Sequence, residues 1–383
     1  MTAILTETIS DHGEHPVSDV VAAAERLLTR RTGATVTLVD PVDLGGSGAA
    51  TVVRVRVAEN PFSLPRTLVL KQVLDASGDL DQAFRREAVS YQFANSLTAD
   101  TRPGPELIAH DLDERLLVLT DLGDAPAMGE LLANKDEAEV THSLMAMAQA
   151  LGRMHAATFG REDDFAALMR RAGGTHAADP MAEQVHAAIE QVPGLLGELL
   201  GVTPSEAVVG LVTEAQHLFG AGGYRAFSPA DLCPDNILVN GSGVRFLDYE
   251  FGGFRDATLD IAYALVPFPG CLCTIDLNRD QALSMIEAWR AEVVGIWSQL
   301  RDDSALYARI LEAQLIWVWL STYLYLPDDE IRMTIAGQHE LASPRGAALR
   351  QRWQGLAEFA ETLGVTEIAD HAREVAAALA NGI

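Results

Sequence analysis

Hydrophobic and polar positions alternate with a period of two in several short segments of the first third of the chain. The clearest is Thr51-Val52-Val53-Arg54-Val55-Arg56-Val57, a pattern typical of a strand with one buried face. Four further segments predict strands: 35–39, 67–73, 106–110 and 115–120. Helical spacing is found before the first strand, at 17–32, and between the third and fourth, at 81–97. Short strands joined mostly by turns predict a five-stranded antiparallel sheet with one helix inserted in it.

Beyond Asp121 the apolar spacing becomes helical. Long amphipathic segments are predicted at 137–158, 204–219, 281–300 and 305–325. One short hairpin interrupts them, with strands at 237–239 and 244–247 and a turn on Asn240-Gly241. The chain therefore predicts an α+β fold with two lobes. A small N-terminal lobe spans 1–122, and a larger, mainly helical lobe spans 123–383.

Composition and charge narrow the class of partner. A chain of 383 residues with 48% hydrophobic composition is long enough for two cores. Its 28 basic against 54 acidic residues give a formal charge of −26, which repels nucleic-acid phosphates and anionic lipid. We expect neither a nucleic-acid nor a membrane partner. The same field favours a cationic small molecule, and the alternative is that the acidity serves solubility alone.

Cysteine usage and the first residues bear on the compartment. The chain has three cysteines, Cys233, Cys271 and Cys273, without the paired spacing of a zinc site. The first fifteen residues are acidic and lack the apolar stretch of a secretory signal, and no apolar run has the length of a membrane span. We expect reduced thiols in a cytoplasmic protein.

The segment that carries chemistry is Asp231-Leu232-Cys233-Pro234-Asp235-Asn236, followed across the hairpin by Asp248-Tyr249-Glu250. Transfer of a γ-phosphoryl group requires a carboxylate that accepts the hydroxyl proton and oxygen ligands that hold magnesium. The spacing of Asp231 and Asn236 allows one loop to present a base and a neutral oxygen ligand. Asp248 is placed to supply the charged ligand. Each of these residues taken alone is more typical of a turn or a helix cap.

In order and spacing these motifs resemble the aminoglycoside phosphotransferase and choline kinase group, distant relatives of protein kinases, over roughly residues 44–264. The resemblance implies a protein-kinase-like fold that uses ATP and Mg²⁺, in which the lobe 1–122 binds the nucleotide and the lobe 123–383 carries catalysis and substrate binding. It implies that Asp231 is the catalytic base and that Asn236 and Asp248 are magnesium ligands.

Lys71, in Leu68-Val69-Leu70-Lys71, matches the strand lysine that contacts the nucleotide phosphates in this family, and Glu87 matches its helix partner. A lysine within an apolar strand also needs a carboxylate to offset its desolvation. The alternative for Lys71 is a residue on the solvent face of the strand.

Two further segments match nucleotide-binding parts of the family. Gly45, Gly46, Ser47 and Gly48 stand where the family has its phosphate-covering loop, although a hairpin turn explains the glycines as well. The strand 116–120 and the residues after it match the hinge whose backbone pairs with adenine, which points to Thr120 and Leu122.

The resemblance also assigns Asp260 to bracing the catalytic loop, and His155 is interpreted as structural. One departure stands out, because Pro229 occupies the position where the family usually has a histidine. We therefore predict an ATP-dependent kinase for a hydroxyl of a small molecule, such as an aminoglycoside, an aminosugar or an amino alcohol. Two alternatives remain, a catalytically silent nucleotide-binding protein and a protein kinase. The sequence leaves the oligomeric state open.

Overall fold

The computed structural model describes residues 16–45, 50–58, 64–74, 78–134, 136–173, 179–328 and 341–382. They form two compact units. The first contains the described parts of Met1–Ala125, Asp163–His176 and Arg245–Gly252, and the second contains those of Pro126–Glu162, Ala177–Val244 and Gly253–Ile383. The functional division at residue 122 remains a prediction.

The first unit is built on one antiparallel sheet. Its elements are α1 (Pro16–Thr32), β1 (Leu38–Asp43), β2 (Ala50–Val57), β3 (Thr67–Val73), α2 (Gly78–Ala94), β4 (Leu107–Asp111) and β5 (Leu116–Thr120). The strand order is β1-β2-β3-β5-β4, and every neighbouring pair is antiparallel. The predicted five-stranded sheet with an inserted helix is confirmed.

One face of the sheet packs against α1. The buried residues of this core include Val20, Ala24, Leu28, Val53, Val55, Leu68, Leu70 and Val118. Since successive side chains of a strand point to opposite faces, Lys71 lies on the other face from Leu70. The alternation that buries the apolar residues thus also sets the direction of this lysine.

The first strand differs from the prediction. It runs from Leu38 to Asp43, not over 35–39, and its register with β2 is irregular between Val39 and Val42. Asp40 has a left-handed φ of +54°, and Pro41 follows it. Because β1 is an edge strand, it tolerates a proline and a bulge that a central strand would exclude.

The second unit is mainly helical. The helices α3 to α12 are Met128–Leu132, Glu137–Thr158, Glu162–Arg171, Pro180–Leu200, Glu206–Ala215, Thr258–Leu265, Arg279–Val293, Asp303–Tyr325, Arg345–Thr362 and Thr366–Gly382. The strands β6 to β9 are Arg225–Ser228, Ile237–Asn240, Gly243–Phe246 and Gly253–Asp256. Of these elements, α5 and β8 cross from one unit into the other. The predicted hairpin is present as β7 and β8.

The helix α10 is the centre of the second unit. It packs against α6, α8 and α11, and every residue from Ala313 to Thr322 is buried. A helix that is apolar on all sides belongs in the interior of a protein. Among the helices in the described part of the chain, none is long and apolar enough to cross a membrane.

A two-stranded ladder positions the catalytic motif. β6 pairs antiparallel with β9, and Ser228 at the end of β6 faces Gly253 at the start of β9. The loop with Asp231 follows β6, and α8 with Asp260 follows β9. The ladder therefore brings the loop and this helix together although they are distant in sequence.

Candidate active site

Lys71 is a buried cation held by two carboxylates of the first unit. It lies in β3 between Val52 of β2 and Leu117 of β5, and only 9% of it is exposed. Its Nζ donates to Glu87 Oε1 at 2.8 Å and to Asp248 Oδ1. The lysine is thus not on a solvent face, which was the alternative raised by the sequence.

The charges in this group set its protonation. Burial by itself lowers the pKa of Lys71, but the carboxylates of Asp248 and Glu87 outweigh it and raise that pKa above its usual range. Burial raises the pKa of Glu87 to about 7, and Lys71 opposes this shift. Lys71 therefore remains an ammonium, the form that attracts phosphate.

Asp248 follows β8 in an unusual backbone conformation. Its φ is +55°, in the left-handed region that few residues other than glycine adopt. The next residue, Tyr249, is buried with its ring centroid 4.6 Å from that of Tyr91, and its carbonyl accepts the Ser90 hydroxyl at 3.3 Å. These contacts hold the strained backbone in place. The Asp248 side chain remains 34% exposed and can reach a ligand.

Of the predicted phosphate-covering loop, the structure describes Gly45. This residue has a φ of +77°, and its N–H donates to Asp43 Oδ1 at 2.8 Å. A left-handed φ explains why a glycine is needed at this turn. Gly46, Ser47 and Gly48 lie outside the described residues, so the phosphate contact remains a prediction.

The two hinge candidates lie at the end of β5 and just beyond it. The N–H of Thr120 donates to the carbonyl of Glu106 at 2.9 Å, and it is therefore not available to an adenine ring. Leu122 lies two residues beyond the end of β5 and is half-buried. The hinge contact of Thr120 and Leu122 with adenine remains a prediction.

Asp231 is a buried carboxylate with donors on both oxygens. It is 4% exposed. Its Oδ1 accepts the N–H of Cys233 and the hydroxyl of Tyr263, each at 3.3 Å. Its Oδ2 accepts Asn236 Nδ2 at 2.9 Å. The spacing of Asp231 and Asn236 thus brings the two side chains into direct contact, as a base and a neighbouring ligand require.

The Ser228 hydroxyl stabilises the loop that carries Asp231. Its hydroxyl donates to Asp260 Oδ1 at 2.6 Å and accepts the N–H of Ala230 at 3.1 Å and Arg255 Nη1 at 3.0 Å. Ala230, directly before Asp231, has a left-handed φ of +65°. The serine hydroxyl therefore holds a strained residue next to the candidate base.

His155 completes this network on the far side of Asp260. Its Nδ1 accepts the Trp289 Nε1–H at 2.9 Å, and its Nε2 lies 2.9 Å from Asp260 Oδ2. Because an indole nitrogen can only donate, Nδ1 is the unprotonated nitrogen and Nε2 donates to Asp260. The three side chains are buried and satisfied, which agrees with a structural role for the histidine.

Arg352 holds a loop near the candidate site in place, and no motif in the sequence indicates this role. It lies in α11 and is 1% exposed. Its Nη2 lies 3.0 Å from the carbonyl of Phe268 and 2.5 Å from that of Cys271, and its Nη1 lies 2.5 Å from Ser321 Oγ. Phe268 has a left-handed φ of +53°. The guanidinium thus fixes the loop 267–273, whose Gly270 contacts Tyr263.

The predicted site residues form two groups, one in each unit. Lys71, Glu87 and Asp248 form the first, and Asp231 and Asn236 form the second. The Asn236 amide donates through its nitrogen to Asp231, so its oxygen is the atom that a cation would contact. An amide oxygen and a carboxylate fit Mg²⁺, which takes few protein ligands and completes its shell with phosphates and water. Within the described ranges, no three His, Cys, Asp or Glu side chains form a metal cluster.

The motifs lie in a segment of the chain that matches a known protein family. The model of the phosphotransferase enzyme family matches residues 46–292, more than half of the chain. The chain belongs to this family. The resemblance inferred from the sequence is confirmed, and with it the assignment to the small-molecule phosphotransferases. No curated protein matches this phosphotransferase.

Solved structures of kinases are similar to this chain at low sequence identity. A choline kinase from Cryptosporidium parvum Iowa II has a TM-score of 0.50 and 10% identity, over 92% of this chain and 97% of that chain. A putative fructosamine-3-kinase from Thermobifida fusca YX-ER1 has a TM-score of 0.48 and 18% identity, over 88% and 99%. A choline/ethanolamine kinase family protein from Mesorhizobium loti has a TM-score of 0.47 and 18% identity, over 88% and 92%. The first of these similarities shows a kinase-like fold.

Proposed function

We propose that this phosphotransferase transfers the γ-phosphoryl group of ATP to a hydroxyl of a small molecule. The observation that carries the proposal is the contact between Asp231 and Asn236 in one loop, with Oδ2 of the carboxylate accepting the amide at 2.9 Å. A buried carboxylate next to a neutral oxygen ligand is the pair that phosphoryl transfer needs.

In this reaction Asp231 accepts the proton of the acceptor hydroxyl. The oxygen forms a bond to the γ-phosphorus, the bond to the bridging oxygen breaks, and ADP leaves. Lys71 contacts the phosphates as an ammonium, and Glu87 orients it at 2.8 Å. Most of the rate then comes from positioning and from charge neutralisation.

Asn236 and Asp248 are the residues that would hold Mg²⁺ in this proposal. The ion supplies neutralisation of the charge on the phosphates. On the protein side, Asn236 is already oriented, because its nitrogen is engaged by Asp231. Asp248 contacts Lys71, and a nucleotide phosphate would share this ammonium with the carboxylate.

The charge of the chain favours an acceptor that carries an amine. A formal charge of −26 raises the local concentration of cations around the protein. An aminoglycoside, an aminosugar or an amino alcohol combines such a charge with a hydroxyl. These three classes define the panel for the first experiment.

A protein that binds nucleotide without turnover is the competing hypothesis, and it depends on Pro229. The family resemblance implies that a histidine at that position braces the loop with the catalytic aspartate. In this chain the Ser228 hydroxyl bonds both Ala230 and Asp260, so the loop has a brace from another residue. This contact favours the active enzyme over the silent protein.

The test is acceptor-dependent ADP release with magnesium and ATP, measured for the unchanged protein and for Asp231→Asn. Loss of a general base should lower the rate by roughly 100- to 10,000-fold. Asp235→Asn is the matched control, because the same substitution falls on an exposed residue of the same loop and should leave the rate within about twofold.

Equal activity in Asp231→Asn and Asp235→Asn would refute the role of Asp231. ATP-dependent thermal stabilisation without ADP release for any acceptor of the panel would favour the silent protein. Phosphate found on a generic protein substrate would instead indicate a protein kinase.

A further inference from the structure

Tyr263 places its hydroxyl between the candidate base and a neighbouring loop. It belongs to α8 and is 2% exposed. Its hydroxyl donates to Asp231 Oδ1 at 3.3 Å and accepts the N–H of Gly270 at 3.1 Å. All three residues lie in the second unit.

The direction of these hydrogen bonds follows from the donors present. The Gly270 N–H can only donate, so the phenolic proton of Tyr263 is left for another acceptor. Asp231 Oδ1 at 3.3 Å and Cys233 Sγ at 3.6 Å are the two neighbours, and the carboxylate is the far stronger acceptor. Burial, with Cys233 and Asp231 close by, raises the pKa of Tyr263 well above its usual range. The phenol therefore keeps its proton.

The tyrosine ring has little freedom to move. Trp317 packs edge-on at a centroid distance of 5.1 Å, and Phe268 lies at 6.3 Å. A Cβ added to Gly270 would overlap the Tyr263 hydroxyl and would lie 3.6 Å from Asp231 Oδ1. The absence of a side chain at Gly270 thus makes room for the hydroxyl.

We propose that Tyr263 is a positioning residue that fixes the Asp231 carboxylate for proton transfer. The χ2 angle of an aspartate is soft, but here Tyr263 donates to Oδ1 and Asn236 donates to Oδ2. Rotation of the carboxylate breaks one of these bonds. A distance of 3.3 Å is long for an O–H···O bond, and such contacts of catalytic groups tighten when substrate binds.

This inference rests on the proposed function, since it requires Asp231 to act as the base. The test uses the full chain and the best acceptor of the amine panel. Tyr263→Phe should lower kcat by about tenfold, because misplacing a catalytic group costs up to about 100-fold. KM for ATP should remain within about twofold, since nucleotide binding does not depend on the position of the base.

A double-mutant cycle separates positioning from general stability. In an Asp231→Asn background the change Tyr263→Phe should cost less than about twofold in the residual rate, because its partner carboxylate is already gone. Equal loss in both backgrounds would overturn the inference and indicate a structural tyrosine. Gly270→Ala, which displaces the hydroxyl without removing it, should reproduce the loss of kcat.

Tyr325→Phe is the matched control. The Tyr325 hydroxyl, from α10, donates to the carbonyl of Gly270 at 2.5 Å, so this variant removes a buried hydroxyl that binds the same loop through Gly270 and not through Asp231. It should lower the melting temperature as Tyr263→Phe does but change kcat by less than about threefold. Normal kcat in Tyr263→Phe overturns this inference alone. No acceptor-dependent ADP release by the unchanged protein overturns the proposed function and the inference together.

Discussion

Removal of the Ser228 hydroxyl should cost more stability than removal of any ordinary buried serine hydroxyl. This oxygen makes three hydrogen bonds, at 2.6 Å to Asp260, 3.1 Å to the Ala230 N–H and 3.0 Å to Arg255. Two of the partners are charged, and each such bond contributes about 1.5–3 kcal/mol, against about 1 kcal/mol for a neutral one. Because the three bonds share one atom and are not additive, we expect Ser228→Ala to lower the unfolding free energy by about 3 kcal/mol.

The assay is urea denaturation followed by tryptophan fluorescence. Ser143→Ala is the control, because the buried Ser143 hydroxyl makes a single bond, to the Glu139 carbonyl within α4. This variant should lose less than about 1 kcal/mol. Ser228→Ala should also lower kcat, since the same oxygen holds Ala230 next to Asp231. Equal shifts of the urea midpoint in the two variants would refute the proposed stabilising role of the Ser228 hydroxyl.

Two further predictions concern buried charge. His371 lies between Trp319 and Trp353, and burial lowers its pKa to about 4. Its contribution to stability is therefore complete above the unfolded pKa of about 6.5 and is lost as the pH falls towards 4. Protonation of His371 should therefore lower the unfolding free energy by about 2 kcal/mol between pH 7 and pH 5. The variant His371→Leu should lack this part of the decrease. An identical pH dependence of stability in both proteins would contradict the prediction. Lys71→Met should abolish the rise in melting temperature that ATP causes and should lower stability by about 3–5 kcal/mol, because it leaves a buried carboxylate unpaired. The double variant Lys71→Met/Glu87→Gln should regain most of the lost melting temperature, but ATP should still not raise it. A double variant as unstable as Lys71→Met would show that the unpaired Glu87 carboxylate is not the cause of the instability.

The sequence correctly predicted strands and helices whose buried residues recur with the period of the element. β3 spans Thr67–Val73 and α4 spans Glu137–Thr158, both with the predicted bounds. β1 was misplaced because its polar, proline-containing sequence owes its strand conformation to pairing with β2. Such pairing depends on another segment of the chain, and the alternation of residues within β1 itself does not reveal it.

The candidate site shows the same division. The spacing of Asp231 and Asn236 within one loop was sufficient to predict their proximity. Ser228 and Tyr263 could not be found in this way, because their contacts with Asp260 and Asp231 span 32 residues in each case. A hydroxyl that braces a loop carries no periodic or compositional signal. Only the ladder of β6 and β9 brings these partners together.

The position of Arg352 limits how far the protein can be dissected. The family-matched segment ends at residue 292, within α9, whereas Arg352 belongs to α11. A fragment cut at the family boundary would keep every diagnostic motif, yet the carbonyls of Phe268 and Cys271 would lose the guanidinium that holds them. The part of the sequence that identifies the family is therefore smaller than the part that must fold. Substitutions in α11 would therefore alter the loop 267–273 and, through Tyr263, the position of Asp231, while the motif itself stays unchanged.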